Sequence, residues 1–370
     1  MKDKFNLLTI LDTISETSMP LNEFILYRLK KYPKIKQYII VCEKKKDTTI
    51  EIPNEINIYY VDKKSELMQK AINEILYKNI LENKKLIVHL HQIKSALLFY
   101  KATFFIRNKN YKTLFTVHSN YNLRSLKYKI SSVLCSLMAD RVTCVSKSGY
   151  KDYSEIVKFI KGKRISYIQN GVDISRVDFV VDKMNYKEPK IDDKKIIHFV
   201  YIGRIIPIKN QIVLVNAFKD LEGCELTLVG AENKDSKIRK LIEELQLTKK
   251  IHITGMIERN KVFEILKSSN VYISSSLIEG LPVSVLEAMA VGLPVVLSNI
   301  DSHKEIARES TGIKIINNTV EEWKKILKEY INMDDDKLKK LGDQCRRCVV
   351  NNFSLEKMHS LYDKEYEKLI

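Results

Sequence analysis

Short β-branched runs alternate with helix-length amphipathic segments along almost the whole chain, and this restricts the fold to α/β architectures with mostly parallel sheets. In the first half the strand candidates are FNLLTIL (5–11), QYIIVC (37–42), NIYYV (57–61), KLIVHLH (85–91), TLFTVH (113–118), RVTCV (141–145) and RISYI (164–168). In the second half IIHFVYIG (196–203), ELTLVG (225–230), IHIT (251–254), VYISSS (271–276), PVVLS (294–298) and IKII (313–316) repeat the pattern. A chain of 370 residues exceeds the size at which a single core keeps growing, so two Rossmann-like domains are expected. The segment 173–195 has mixed charge and weak periodicity and reads as the linker. It divides an N-terminal domain, 1–172, from a C-terminal one, 196–353. The tail from Ser354, a suitable N-cap, reads as a last amphipathic helix, 354–370, able to pack back on the N-terminal domain.

Six cysteines lie scattered without a disulfide framework, and no basic-apolar-small leader opens the chain, so a reducing cytoplasm is expected. Cys345 and Cys348 form a lone C-x-x-C with no second pair and no nearby His, a weak signal for zinc or redox chemistry. No apolar run approaches the roughly 20 residues that span a bilayer, which leaves a soluble or peripheral protein. Nearly all of the net charge of +17 falls before residue 171, and residues 101–150 hold nine Lys and Arg against one Asp. The two halves therefore face different partners.

Ligands of doubly wound sheets bind beyond the C-terminal ends of the strands, so the loops that follow strands carry the information. In GRIIPIKNQ (203–211), Gly203 permits a tight turn, Arg204 and Lys209 share one loop, and Asn210 is placed to cap the next helix. Two cations beside a helix N-terminus suit a diphosphate, although alone they read better as a solvated pair. In EGLPVSVLEA (279–288), Gly280 frees the backbone and Pro282 suits the first helical position. Val283, Leu286 and Ala290 share one face of that helix, and Ser284 and Glu287 share another, which turns Glu287 toward the crevice. Glu279 and Glu287 also fit a surface acid and a helix-face acid. Carboxylates repel phosphate but accept hydrogen bonds from sugar hydroxyls, so two acids near two cations suit a nucleotide sugar.

At these residues the chain resembles the family-4 retaining glycosyltransferases of the GT-B fold. The matching stretches are GRIIPIKN, LTLVGAENK, IHITGMIER and, most specific, the E-x7-E block EGLPVSVLEAMAVGLPVV, preceded by HLH (89–91), FTVH (115–118), ADRVTCVS (139–146) and IQNGVD (168–173). The resemblance implies two Rossmann-like domains facing a central cleft. It implies that Arg204 and Lys209 neutralise the donor diphosphate, that Glu287 grips the ribose, and that Glu279 holds the donor hexose and steadies its oxocarbenium-like transition state. Peptide N–H groups from Leu281 through Pro282 and Val283 to Ser284 would cover sugar and phosphate, and His118 would close over the donor sugar. The leaving phosphate would take the acceptor's proton, with no cofactor or metal. One departure is the first loop, 11–24, which lacks the Gly-Gly common in the family; Ser15, Thr17 and Ser18 offer hydroxyls instead. His89 and His91 suit packing better than catalysis, and the run Asp334, Asp335, Asp336 between helical stretches does not indicate a metal site.

Residues 93–138 mix Lys and Arg with aromatic and aliphatic groups. That fits an interfacial surface for an anionic leaflet and, equally, amphipathic helices with solvated lysines. No nucleic-acid motif accompanies the charge, so nucleic acid is not expected. The resulting expectation is a cytoplasmic enzyme, peripheral at the inner face of the cell membrane. It would move a sugar from a nucleotide diphosphate-sugar to a glycan or polyprenyl-linked acceptor in surface polysaccharide synthesis. The alternatives are a transferase for a soluble or protein acceptor, and a non-catalytic nucleotide-sugar-binding protein.

Overall fold

The computed structural model describes residues 5–14, 19–44, 53–106, 110–118, 121, 124–183, 196–232 and 237–370, without the side chains of 19–23. Ser15, Thr17, Ser18, Arg107 and Lys109 lie outside the described residues, as does the 184–195 part of the expected linker. The chain divides into two compact units, one formed by residues 1–169 with 358–370, the other by 170–357.

The first unit is built on a seven-stranded, all-parallel sheet. Its strands are β1 (Phe5–Leu11), β2 (Gln37–Val41), β3 (Asn57–Tyr60), β4 (Lys85–Leu90), β5 (Tyr111–Val117), β6 (Arg141–Cys144) and β7 (Ile165–Tyr167), in the order β3-β2-β1-β4-β5-β6-β7. β1 pairs Ile10 with Leu90 of β4 and with Ile40 of β2, so strand order reverses about β1 and β4. Right-handed crossovers set the helices Ile93–Thr103, Leu126–Met138 and Glu155–Lys161 side by side on one face. On the other face the helix Met19–Lys31 meets the end of the helix Leu355–Glu367. There Arg28 pairs with Asp363 at 2.7 Å and Arg141 with Glu365 at 2.6 Å, all largely buried except Asp363. Ser354 caps this last helix by accepting from Lys357 N at 3.2 Å.

The second unit is a six-stranded parallel sheet. It consists of β8 (Ile197–Ile202), β9 (Cys224–Val229), β10 (Ile251–Gly255), β11 (Val271–Ser274), β12 (Val295–Ser298) and β13 (Ile313–Ile316), in the order β10-β9-β8-β11-β12-β13. This is the doubly wound arrangement, and its order reverses between β8 and β11, where a ligand crevice is expected.

Three local expectations need correction. The segment taken as a linker begins with a helix, Ile174–Lys183, that belongs to the second unit: Val177 is buried, Ile174, Val180 and Val181 pack on the core, and Asp178 pairs with Arg346 at 2.7 Å. Charges on its outer side mask a one-sided apolar pattern. Gly203 is not needed for a tight turn, since the nearest atom an added Cβ would meet is Lys209 Cε, at 3.7 Å, an ordinary contact. The close approach belongs to Gly230, with φ of +148° and a would-be Cβ 2.3 Å from the Gly203 carbonyl oxygen. Finally, the helix Val283–Val291 has no polar face over Val285–Ala290, every residue of which is buried, Glu287 included.

Candidate active site

The loops that follow β8 and β11 are stitched to each other at the reversal point. Leaving β8, the chain turns through Pro207–Lys209 so that the Lys209 carbonyl accepts from Tyr201 Oη at 3.2 Å and from Ser275 Oγ at 3.0 Å. Leu277 N donates to the Ile208 carbonyl at 2.9 Å. These bonds fix the backbone under Lys209, whose ammonium pairs with Glu279. The same carboxylate accepts from Ser276 Oγ at 2.7 Å, and Ser276 in turn lies 2.7 Å from Tyr201 Oη. Burial first, then the Glu279 charge, pushes the Tyr201 phenol well above its ordinary range, so it stays a neutral hydrogen-bond partner.

Loops after β12 and β13 complete the rim. Ser298 Oγ donates to the Ser276 carbonyl at 2.5 Å, and Asn318 Nδ2 donates to the Ser275 carbonyl at 2.7 Å. His303 is fully buried with Nδ1 2.9 Å from the Ser298 carbonyl, which assigns the proton to Nδ1. Burial pulls its pKa down to about 4 against the opposing Glu279 charge, so the ring is neutral.

Glu287 pairs with Arg259, the first residue of the helix Arg259–Lys267 that follows β10, and it is only 2% exposed. The Arg259 guanidinium also lies 5.3 Å from the Phe263 ring centroid. Ser284 accepts from Tyr272 Oη at 3.0 Å at the start of the Val283–Val291 helix. Pro282 occupies the N-cap rather than the first helical position, and Gly280, Leu281 and Pro282 form the turn ahead of it. Asn210 takes the N-cap of the helix Gln211–Phe218 in a left-handed conformation, with no side-chain cap bond.

The structure thus joins Lys209 to Glu279 and leaves Arg204 exposed on the loop after Gly203, while Glu287 is held apart from that pair by its own cation. Tyr201, Ser276, His303 and Arg259 belong to this constellation and were not legible as such. Arg259 opens the helix reached through the short loop after β10, a position that the doubly wound fold makes informative.

His118 belongs to the first unit. It is exposed at the end of β5, with Nε2 3.1 Å from His91 Nδ1. His91 stacks on His89 with ring centroids 3.8 Å apart, and His89 spans Tyr366 Oη and Thr116 Oγ1, both at 2.7 Å. Burial, followed by neighbouring charge, holds His89 and His91 well below the ordinary histidine range, so both are neutral packing partners. Among the described residues no group of three or more His, Cys, Asp or Glu could hold a metal ion. Asp334 serves as an N-cap, accepting from Lys337 N at 2.7 Å. Cys345 and Cys348 are buried thiols, and burial pushes them up to about 12 and about 11. Among the described residues no helix is long and apolar enough to cross a membrane.

Known protein families match both halves of the chain. The family described as Glycosyl transferases group 1 matches residues 182–347, and Glycosyltransferase Family 4 matches residues 36–176. The chain is 28% identical over 301 residues to the UDP-Gal:alpha-D-GlcNAc-diphosphoundecaprenol alpha-1,3-galactosyltransferase of Escherichia coli, covering 76% of this chain and 75% of that one. It is 27% identical over 264 residues to the capsular polysaccharide biosynthesis glycosyltransferase CapH of Staphylococcus aureus, covering 68% and 69%. Among solved structures, a glycosyltransferase from Rickettsia africae ESF-5 superposes with a TM-score of 0.78 at 22% identity over 99% of both chains. Anabaena HepE in complex with UDP gives 0.74 at 14% identity, over 99% of this chain and 100% of that one.

Proposed function

The chain belongs to the family-4 glycosyltransferases of the GT-B fold, and from that premise we propose that it moves a sugar, with retention of configuration, from a nucleotide diphosphate-sugar to a lipid-linked or polysaccharide acceptor. One observation carries the reading. A cation and an acid, Lys209 and Glu279, meet beyond the C-terminal ends of β8 and β11, where the strand order of the second unit reverses. The named relatives act on, or are assigned to, a diphosphoundecaprenol-linked sugar and a capsular polysaccharide, which supports the acceptor class.

In this reading Lys209 and Arg204 neutralise the diphosphate as the glycosidic bond breaks, stabilising charge that exists only late in the reaction. Glu279, fixed by Ser276, accepts from a hexose hydroxyl, and Glu287 leaves Arg259 to accept from the ribose. The departing phosphate takes the acceptor's proton on the face it vacates, so configuration is retained. Two side-chain cations take the place of a divalent metal. The surplus of Lys and Arg before residue 171 suits an enzyme stationed at the anionic inner face of the cell membrane.

Turnover of a panel of nucleotide diphosphate-sugars by the purified chain, with the product anomer read by NMR, tests the proposal. An inverted anomer removes the retaining mechanism. Activity abolished by EDTA and restored by magnesium removes metal independence, and donor binding without turnover on any acceptor leaves a binding protein.

A further inference from the structure

The helix Leu126–Met138 in the first unit carries an apolar row on its outer side, while its inner side sets Ser132 and Ser136 among Cys135, Val133 and Leu137. Ser132 and Ser136 are fully buried, with hydroxyls 2.6 and 2.7 Å from Tyr153 Oη. Outside, Leu126, Ile130, Leu134 and Met138 recur at every fourth position, and all are exposed, Leu126 by 73%. A surface helix in water ordinarily presents polar residues on that outer side. The neighbouring helix Glu155–Lys161 extends the ridge with Phe159, which at 90% is the most exposed large apolar side chain among the described residues, flanked by Ile156 and Ile160. Lys161 makes the two helices one surface by donating from its buried ammonium to the carbonyls of Leu137, at 3.0 Å, and Ala139. Isolated exposed apolar residues are ordinary, whereas a continuous ridge over two packed helices marks an interaction site.

Charge identifies the partner. No Asp or Glu occurs between Glu82 and Asp140. Arg124 and Lys127 are exposed at one end of the ridge, and Lys163 and Arg164 just beyond Phe159. Within the ridge helices the only acid is Glu155, paired with Lys158 at 2.5 Å. A second copy of so basic a face would repel the first. An anionic lipid leaflet offers both an apolar layer for the ridge and negative headgroups for its rim.

We infer that the face formed by Leu126–Met138 and Glu155–Lys161 docks on an anionic lipid bilayer, with the Leu, Ile and Phe side chains entering the boundary between headgroups and acyl chains. The inference gives the membrane part of the proposed function its surface, and it stands on exposure and charge, independently of the donor site.

Flotation of the full chain with vesicles of phosphatidylcholine, with and without phosphatidylglycerol, tests it without any substrate. Binding is expected only with phosphatidylglycerol. The variant I130S/L134S/F159S should lose about tenfold or more in partitioning at every salt concentration, because its lost contribution is apolar burial. The variant R124Q/K127Q/K163Q/R164Q should lose about tenfold at low salt and little more at high salt, where surface charge is screened. Ile130→Trp should tighten binding, which guards against misfolding as the source of the losses. Unchanged partitioning in all three variants overturns the inference. So does a self-association, seen by sedimentation, that the Ser variant abolishes, for the ridge would then be a contact between copies. Calorimetry with a nucleotide diphosphate-sugar on the same preparation, without vesicles, reports on the donor site separately.

Discussion

Lys209 and Glu279, 70 positions apart, are paired to each other at the ends of β8 and β11, and Ser276 donates to the same carboxylate at 2.7 Å. Both side chains are mostly buried, at 17% and 13% exposed. Removing one partner therefore does two things. Lys209→Ala should lower kcat/KM by about 10²–10³-fold, the usual loss for one charge-stabilising group. It should also lower the melting temperature, because Glu279 is left poorly compensated. K209A/E279Q should recover stability and not activity, and this separation, read by calorimetry and turnover, checks the assignment.

Gly230 tolerates no side chain. A Cβ there would lie 2.3 Å from the Gly203 carbonyl oxygen, in a backbone conformation with φ of +148°. Gly230→Ala should cost at least about 2 kcal/mol, while Gly203→Ala, with ordinary spacing around its Cβ, should stay within about 0.5–1 kcal/mol. Thermal melts of the two variants side by side decide this.

Histidine burial predicts an acid limit to stability. His303 titrates at about 4 in the folded chain, below the 6.5 of an exposed ring, and burial is the main cause. A basic group whose folded pKa is depressed leaves stability intact above the unfolded value and removes it as pH falls. The loss should run from about pH 6.5 toward 4 and reach on the order of 3 kcal/mol for this ring. His89, His91 and His359, also pulled down chiefly by burial, act in the same direction. The melting temperature should be flat above pH 7 and fall steadily below 6.5, and His303→Gln should shallow the slope.

Glu365 holds the last helix to the first unit through Arg141, at 2.6 Å, with both side chains over nine-tenths buried. Glu365→Ala should cost about 3 kcal/mol, since an unpaired buried guanidinium remains. Glu365→Gln, which keeps an acceptor, should cost less. Equilibrium unfolding by urea, followed through the buried tyrosines, measures both.

The thirteen strands among the described residues are legible in the sequence, most plainly where a parallel strand covered on both faces reads as a nearly unbroken apolar run, as IIV within 39–41 and VVL within 295–297 do. The loops flanking β8 and β11 are equally legible, since position after a strand suffices to single them out. Glu287 is harder: helical spacing assigns it a face, but the Val283–Val291 helix is covered on every side, and only tertiary packing reveals that a partner 28 residues back, Arg259, neutralises it. The Ile174–Lys183 helix escapes for the opposite reason, with Val177 alone fully buried among charged neighbours. His303 gives no local signal, because its burial is set by tertiary packing and its hydrogen-bond partner, Ser298, lies at the end of β12.

The first unit is closed by a segment far along the chain, residues 358–370, and this sets an order of events in folding. Residues 170–357 form a compact unit from one continuous stretch, whereas the pairs Arg28–Asp363 and Arg141–Glu365 join positions 335 and 224 apart. Until residues 358–370 dock, Arg28 and Arg141 have no Asp363 or Glu365 to meet, and His89 has no Tyr366. On refolding from denaturant the second unit should therefore gain protease resistance first, and the first unit only after that long loop has closed.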